Sequence, residues 1–228
     1  MIVVSGASGG IGQAILASLL ELDSVLALYN STPPSASTDP RFAWAQVDIT
    51  DAKAIESLVQ QYRPVMSRLT VVHLAACKID GLVATYSESD WDRTMDVTLK
   101  GNFLLTRALL PLMVAGEWGR IIHVSSIAGR EGWPGTAAYA AAKTALLGFS
   151  RVLAHEYGRF KITSNVLSLG YLDAGLALKL PEPVKHKVLE RIPTKKMGPA
   201  TQVADAIEYL RKSDYVNGAV IDIDGGVW

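Results

Sequence analysis

Met1-Ile-Val-Val-Ser-Gly-Ala-Ser-Gly-Gly-Ile-Gly12 opens the chain and decides its fold. An apolar, β-branched run from Met1 to Ser5 passes directly into a glycine-rich turn. Gln13 to Glu21 then spaces Ile15, Leu16, Leu19 and Leu20 at helical intervals. Strand, glycine turn and helix in that order is the setting in which such a motif reads as a dinucleotide site; a merely flexible turn is the other reading. Gly6 permits the tight turn, Gly10 lets the main chain approach a pyrophosphate, and Gly12 lets the helix pack closely. With Ser8 and Ile11 they form a candidate phosphate loop whose helix amides face the anion.

Working outward, Val25 to Tyr29 reads as a second strand, ending at Asn30-Ser31-Thr32. The residue at this edge of a dinucleotide site meets the adenosine ribose, and an acid there selects NAD. Asn30, Ser31 and Thr32 are neutral and no acid follows them before Asp39, so the pattern leans towards NADP. Phe42 to Val47 is a third strand, closed by Asp48-Ile49-Thr50-Asp51. Asp48 either accepts from an adenine amino group or caps the helix Ala52 to Tyr62, for which Asp51 is the better cap. Leu69 to Ala76 is a fourth strand, whose terminal Ala75 and Ala76 leave room for a cofactor against the main chain. His73 within it reads as a packed core histidine. A long helical pattern follows from Asp90 to Ala115, then strands at Ile121 to Ser125, Ile162 to Leu169 and Ala219 to Ile223, with a last helix at Gln202 to Lys212. The alternation predicts one α/β domain over residues 1–228, a doubly wound parallel sheet of seven strands with helices on both faces. Residues 171–197, broken by Pro181, Pro183 and Pro193, read as a lid over the site.

The chemistry concentrates between Ser125 and Lys143. Tyr139 and Lys143 are four residues apart in an alanine-rich run, which puts both on one helix face. An ammonium beside a phenol favours phenolate and makes Tyr139 a candidate general acid. Ser126 ends an apolar run where a strand edge would present its hydroxyl to the same carbonyl. An ordinary surface helix is the plain alternative, and the surrounding dinucleotide pattern argues against it.

Lys plus Arg and Asp plus Glu number 22 each, which gives no reason to expect a nucleic acid partner. The single cysteine, Cys77, excludes an internal disulfide framework and fits a cytoplasmic setting. His73, His123, His155 and His186 lack metal-ligand spacing, so no metal is expected. No apolar run approaches the roughly 20 residues that span a bilayer, and no signal peptide precedes the first strand, so no membrane association is expected.

Taken together, Ser5-Gly-Ala-Ser-Gly-Gly-Ile-Gly12, Asp48, Ser126, Tyr139-Ala-Ala-Ala-Lys143, Asn165-Val166 and the closing Asp224-Gly225-Gly226 resemble the short-chain dehydrogenase/reductase family. The resemblance covers nearly the whole chain, and single-domain 3-oxoacyl-carrier-protein reductases and similar ketoreductases look closest. It implies a Rossmann fold and hydride transfer between NAD(P)(H) and a carbonyl or secondary alcohol. Tyr139 would act as general acid or base, Ser126 would hold the substrate oxygen, and Lys143 would bind the nicotinamide ribose. Ile49, Gly170 and Leu172 join the cofactor contacts on the same ground, and Trp133 and Tyr171 frame the substrate pocket; Trp133 packing on Pro134 is the other reading. Thr98 stands where the family has the Asn of its proton relay, and a threonine hydroxyl could still hold a water there. Leu74 and Ala174 replace two other family residues, an Asn and the Thr that binds the nicotinamide carboxamide. These departures keep open an alternative, a dinucleotide-binding protein with weak or no catalysis. The family's habit of pairing long helices implies a homo-oligomer, a dimer or tetramer. Lys179, Lys185, Lys187, Lys195 and Lys196 either meet an anionic carrier or form a solvated face.

Overall fold

A computed structural model describes residues 1–31 and 38–227. The strands are β1 (Ile2–Ser5), β2 (Val25–Tyr29), β3 (Phe42–Gln46), β4 (Thr70–His73), β5 (Gly119–Ser126), β6 (Ile162–Leu169) and β7 (Val220–Ile223). All pair in parallel in one sheet of order β3-β2-β1-β4-β5-β6-β7. Strands covered on both faces read as continuous apolar runs, which is why IVVS and VLALY already looked like strands. Successive side chains feed opposite cores. Ile2 and Val4 pack with Ile15 and Leu19 of α1 (Gly10–Leu22) and Val203, Ile207 and Leu210 of α8 (Thr201–Lys212). Val3 faces the other way, towards Ile55 and Leu58 of α2 (Ala52–Tyr62) and the helices that follow β4.

The pattern expected as one helix over residues 90–115 is three joined segments: α3 (Glu88–Met95), a single π-helical stretch at Asp96–Lys100, and α4 (Gly101–Ala115). By length and composition this helix could cross a bilayer, but half of its most apolar window is buried within the fold, as in a core helix. After β5 come a short α5 (Ala128–Glu131) and the long α6 (Ala137–Tyr157). The lid stretch holds a 3-10 turn at Gly175–Lys179 and a regular helix, α7 (Glu182–Arg191), with Pro181 at its N-cap. The strand order reverses at β1, which lies between β2 and β4. Ligands of open parallel sheets bind beyond the strand carboxyl ends at such a reversal, and there the glycine turn and Ser126 both lie.

Candidate active site

β5 delivers Ser126 at its carboxyl end, paired in register with Leu169 of β6. Ser125, one residue earlier and facing α6, donates through Oγ to the main-chain oxygen of Lys143 at 2.9 Å. That bond fixes the register of α6 on the strand. It brings Tyr139 and Lys143, one turn apart, to the side where Ser126 ends, with Lys143 Nζ 5.7 Å from the Tyr139 ring centre. Lys143 is 2% exposed and donates to Val124 O at 2.6 Å. Burial of the cation pulls its pKa down to about 8. The sequence leads one to expect Lys143 to lower the Tyr139 pKa, but the balance in the fold is the reverse. Burial raises the phenol, and the nearby Ser126 hydroxyl works against that rise without cancelling it. Tyr139 is therefore held as a protonated donor at neutral pH.

The glycine turn has no room for side chains. A Cβ on Gly6, whose φ is 67°, would lie 2.6 Å from Ala75 Cα, and one on Gly12 would lie 2.5 Å from Ala7 O. At Gly10 it would meet the main chain of Gly175 at 2.6 Å, so the segment after β6 closes over the turn. The N-cap of α1, Gly9, makes no side-chain capping bond, and the first turn carries no acid. Amides left uncapped beside a cradle of glycines suit a pyrophosphate. Ser8 lies in this turn, and its main-chain oxygen accepts from Gln13 Nε2 at 3.0 Å.

Asn30 and Ser31 are exposed at the end of β2; Thr32 lies outside the described residues. Asp48 is exposed just beyond β3, with Oδ1 accepting from Thr50 N and Oγ1, while Asp51 caps α2 through Lys53 N and Ala54 N. The helix-cap reading of Asp48 is thereby corrected. Ala75 and Ala76 follow β4 beside Gly6, and Gly170 follows β6. Ile49 and Leu172 need a narrower assignment. Both side chains are buried, Ile49 against Gly101 and Leu172 beside Gly198, so only their main chain can meet a ligand.

The Thr98 hydroxyl is engaged with the main chain. The residue is fully buried in the π-helical stretch, where its hydroxyl accepts from Cys77 N at 3.0 Å and donates to Cys77 O at 3.2 Å. Its one proton is spent on holding the loop after β4. The Thr98 carbonyl accepts a close hydrogen bond from Asn102 Nδ2. Behind Lys143, His73 and His123 stack with ring centres 5.0 Å apart, and His73 Nε2 meets Thr106 Oγ1 at 2.9 Å. Burial, then the Lys143 charge, pulls the His123 pKa to about 3, and His73 is also lowered well below the usual imidazole range. Both are neutral core residues.

Trp133 stacks on Tyr171, with ring centres 5.7 Å apart. Trp133 also lines a cavity of about 460 Å³ with Ile127, Arg130, Glu131, Arg191 and Val227. Glu131 and Arg191 carry no motif and were not legible as site residues. In sequence, each looks like an ordinary surface charge. Only the α5 turn and the return of α7 bring them together.

A pyrophosphate cradle at the sheet reversal, with a serine, a tyrosine and a lysine grouped beside it, defines a dinucleotide-dependent oxidoreductase. Comparison with known proteins agrees. The family described as enoyl-(acyl carrier protein) reductase matches residues 6–228. The chain is 34% identical to the (3R)-3-hydroxyacyl-CoA dehydrogenase of Rattus norvegicus, covering 99% of this chain and 95% of that one. It is 32% identical to nodulation protein G of Rhizobium sp. (strain N33), over 99% and 95% of the two chains. It is 31% identical to the 3-oxoacyl-acyl-carrier-protein reductase of Pseudomonas aeruginosa, over 99% and 96%. The chain belongs to the short-chain dehydrogenase/reductase family and is an NAD(P)-dependent oxidoreductase of carbonyls and secondary alcohols.

Proposed function

We propose that the protein is a ketoreductase in which Tyr139 gives its proton to the substrate oxygen while Ser126 holds that oxygen. The grouping of Ser126, Tyr139 and Lys143 at the end of β5 carries this reading. When bound, a nicotinamide dinucleotide supplies or accepts the hydride. Gly6, Ser8, Gly10, Ile11 and Gly12 would hold its pyrophosphate, Asp48 and the main chain of Ile49 its adenine, and Lys143 its nicotinamide ribose. The buried phenol stays protonated until a partner draws the proton away. The Ser126 hydroxyl is a donor fixed in advance at the developing oxyanion. The neutral Asn30 and Ser31 support NADP over NAD, because an acid there would repel the added phosphate.

The relatives' names, a 3-hydroxyacyl-CoA dehydrogenase and a 3-oxoacyl-acyl-carrier-protein reductase, support a substrate with a carbonyl β to an acyl group. A homo-oligomer formed through α4 and α6 is supported by exposed Phe103 and Val152, at 43% and 52%, beside Phe149. Titration with NADH and NADPH, then a ketone panel with the tighter binder, tests the whole reading. Tyr139→Phe should lower turnover by about 10²- to 10⁴-fold; turnover kept within a few-fold would sink it.

A further inference from the structure

We propose that Glu131 and Arg191 are a positioning pair whose ion pair latches the lid to the loop after β5 and so slows release of the dinucleotide. The latch concerns the chain alone; its effect on release rests on the dinucleotide-binding part of the proposed function. The lid leaves and re-enters the fold at one place. Asp173 N donates to Gly198 O at 2.9 Å, Gly198 N to Tyr171 O at 3.0 Å, and Ala200 N to Asp173 Oδ1 at 2.8 Å. A stretch whose two ends are pinned side by side can move as one body on those ends. Near its start lies Gly175, whose main chain a Cβ on Gly10 would meet at 2.6 Å. The lid thus covers the turn that would hold a pyrophosphate.

Little apolar packing holds its far end. Val188 of α7 and Ile192 just after it join Ile127 and Val227 in a cluster of four buried residues, separate from the two large cores. Beside that cluster the seam is open, because the cavity of about 460 Å³ lies between Ile127, Arg130, Glu131, Trp133, Arg191 and Val227. Atoms facing a gap lose their dispersion partners, so packing contributes little there. The ion pair crosses this seam. Arg191, the last residue of α7, donates through Nη2 to Glu131 Oε2 at 2.8 Å, and Trp133 Nε1 donates to the same oxygen at 2.6 Å. Glu131 is the buried partner, at 11% exposed, and Arg191 the exposed one, at 54%. Lifting the lid takes the guanidinium from Glu131 and leaves Trp133 as the donor to Oε2. A pair with one partner in water shifts a rate severalfold rather than by orders of magnitude, which suits a lid that opens in every turnover.

The test uses the intact protein as wild type, Glu131→Gln, Arg191→Met, the double variant and Arg191→Lys, with melting temperature as the check on folding. Glu131→Gln keeps the shape of the side chain and removes only its charge. Without cofactor, the amides of α7 should exchange with deuterium at least about threefold faster in both single variants, with those of α6 unchanged. Release of NADPH into excess NADP+, followed by its fluorescence, should speed up about three- to fivefold. The double variant should be no faster than the quicker single one, and Arg191→Lys should stay within about twofold of wild type. High salt should close the gap between wild type and variants, which a merely structural role would not do. Release within about 1.5-fold of wild type in both single variants, effects that multiply in the double variant, or a gap indifferent to salt overturns the proposal. Faster α7 exchange with unchanged release overturns it too, since the latch would then not govern the cofactor. If the wild type binds neither NADPH nor NADH, the dinucleotide reading fails separately. The α7 amides then decide the latch, and exchange unchanged in both single variants removes it.

Discussion

Lys143 and His123 occupy neighbouring parts of the core, yet only one of them carries a charge at neutral pH. Lys143 keeps its proton because burial has moved its pKa only to about 8, whereas His123, at about 3, does not hold one. Both values lie below those of the unfolded chain, so between the folded and unfolded pKa the unfolded state binds more protons and stability rises with pH. A curve of unfolding free energy against pH should therefore climb in two windows. One runs from about 3 to the ordinary imidazole value of 6.5, and the other from about 8 to 10.5. His123→Leu should flatten the lower window by about 1.4 kcal/mol per pH unit and leave the upper one in place. Denaturant melts across pH would read this directly, and an unchanged acid slope would show that His123 is charged in the folded state. His73, stacked on it and bonded to Thr106, adds in the same direction.

The π-helical stretch at Asp96–Lys100 turns Thr98, Asn102 and Thr106 into one buried row facing the sheet. Thr98 there acts as a clamp on Cys77, so Thr98→Val should lower stability by about 1–3 kcal/mol through the main-chain groups it leaves unpaired. Turnover should stay within a few-fold of wild type. A large loss of kcat at unchanged melting temperature would instead restore Thr98 to the relay. This is the kind of feature that the sequence hides. Residues 90–115 show helical periodicity throughout, because one extra residue in a turn barely disturbs the apolar spacing. Strands were easier to see. Parallel strands buried on both faces leave continuous apolar runs such as Ile2–Val4 and Val25–Tyr29, and the glycine turn depends on local sterics that a motif records. Tyr139 and Lys143 were legible because one helical turn relates them. Glu131 was not, since its partner Arg191 lies 60 residues away and arrives only with the tertiary fold. The Tyr139 pKa was misread for a related reason: charge proximity can be inferred from spacing, but burial cannot.

For the molecule as a whole, the exposed apolar side chains on α4 and α6 bear on assembly. Phe103 and Val152 flank Phe149 on the outer side of these helices. Replacing both by Glu should convert an oligomer to a monomer, read by sedimentation or light scattering at fixed protein concentration; an unchanged mass would place the contact elsewhere. The sheet order has a consequence for how the chain is made. Of the strands of this sheet β1 is synthesised first, but it sits inside the sheet, between β2, which starts at Val25, and β4, which starts at Thr70. Parallel partners need crossovers, so none of these pairings is local and the sheet is slow to assemble. Once His73 has been added, β3-β2-β1-β4 can close, but the outer edge of β4 must wait for β5, which begins at Gly119. Throughout the synthesis of α3 and α4, that apolar edge has its main-chain donors and acceptors unpaired, the condition under which one nascent chain can pair with another.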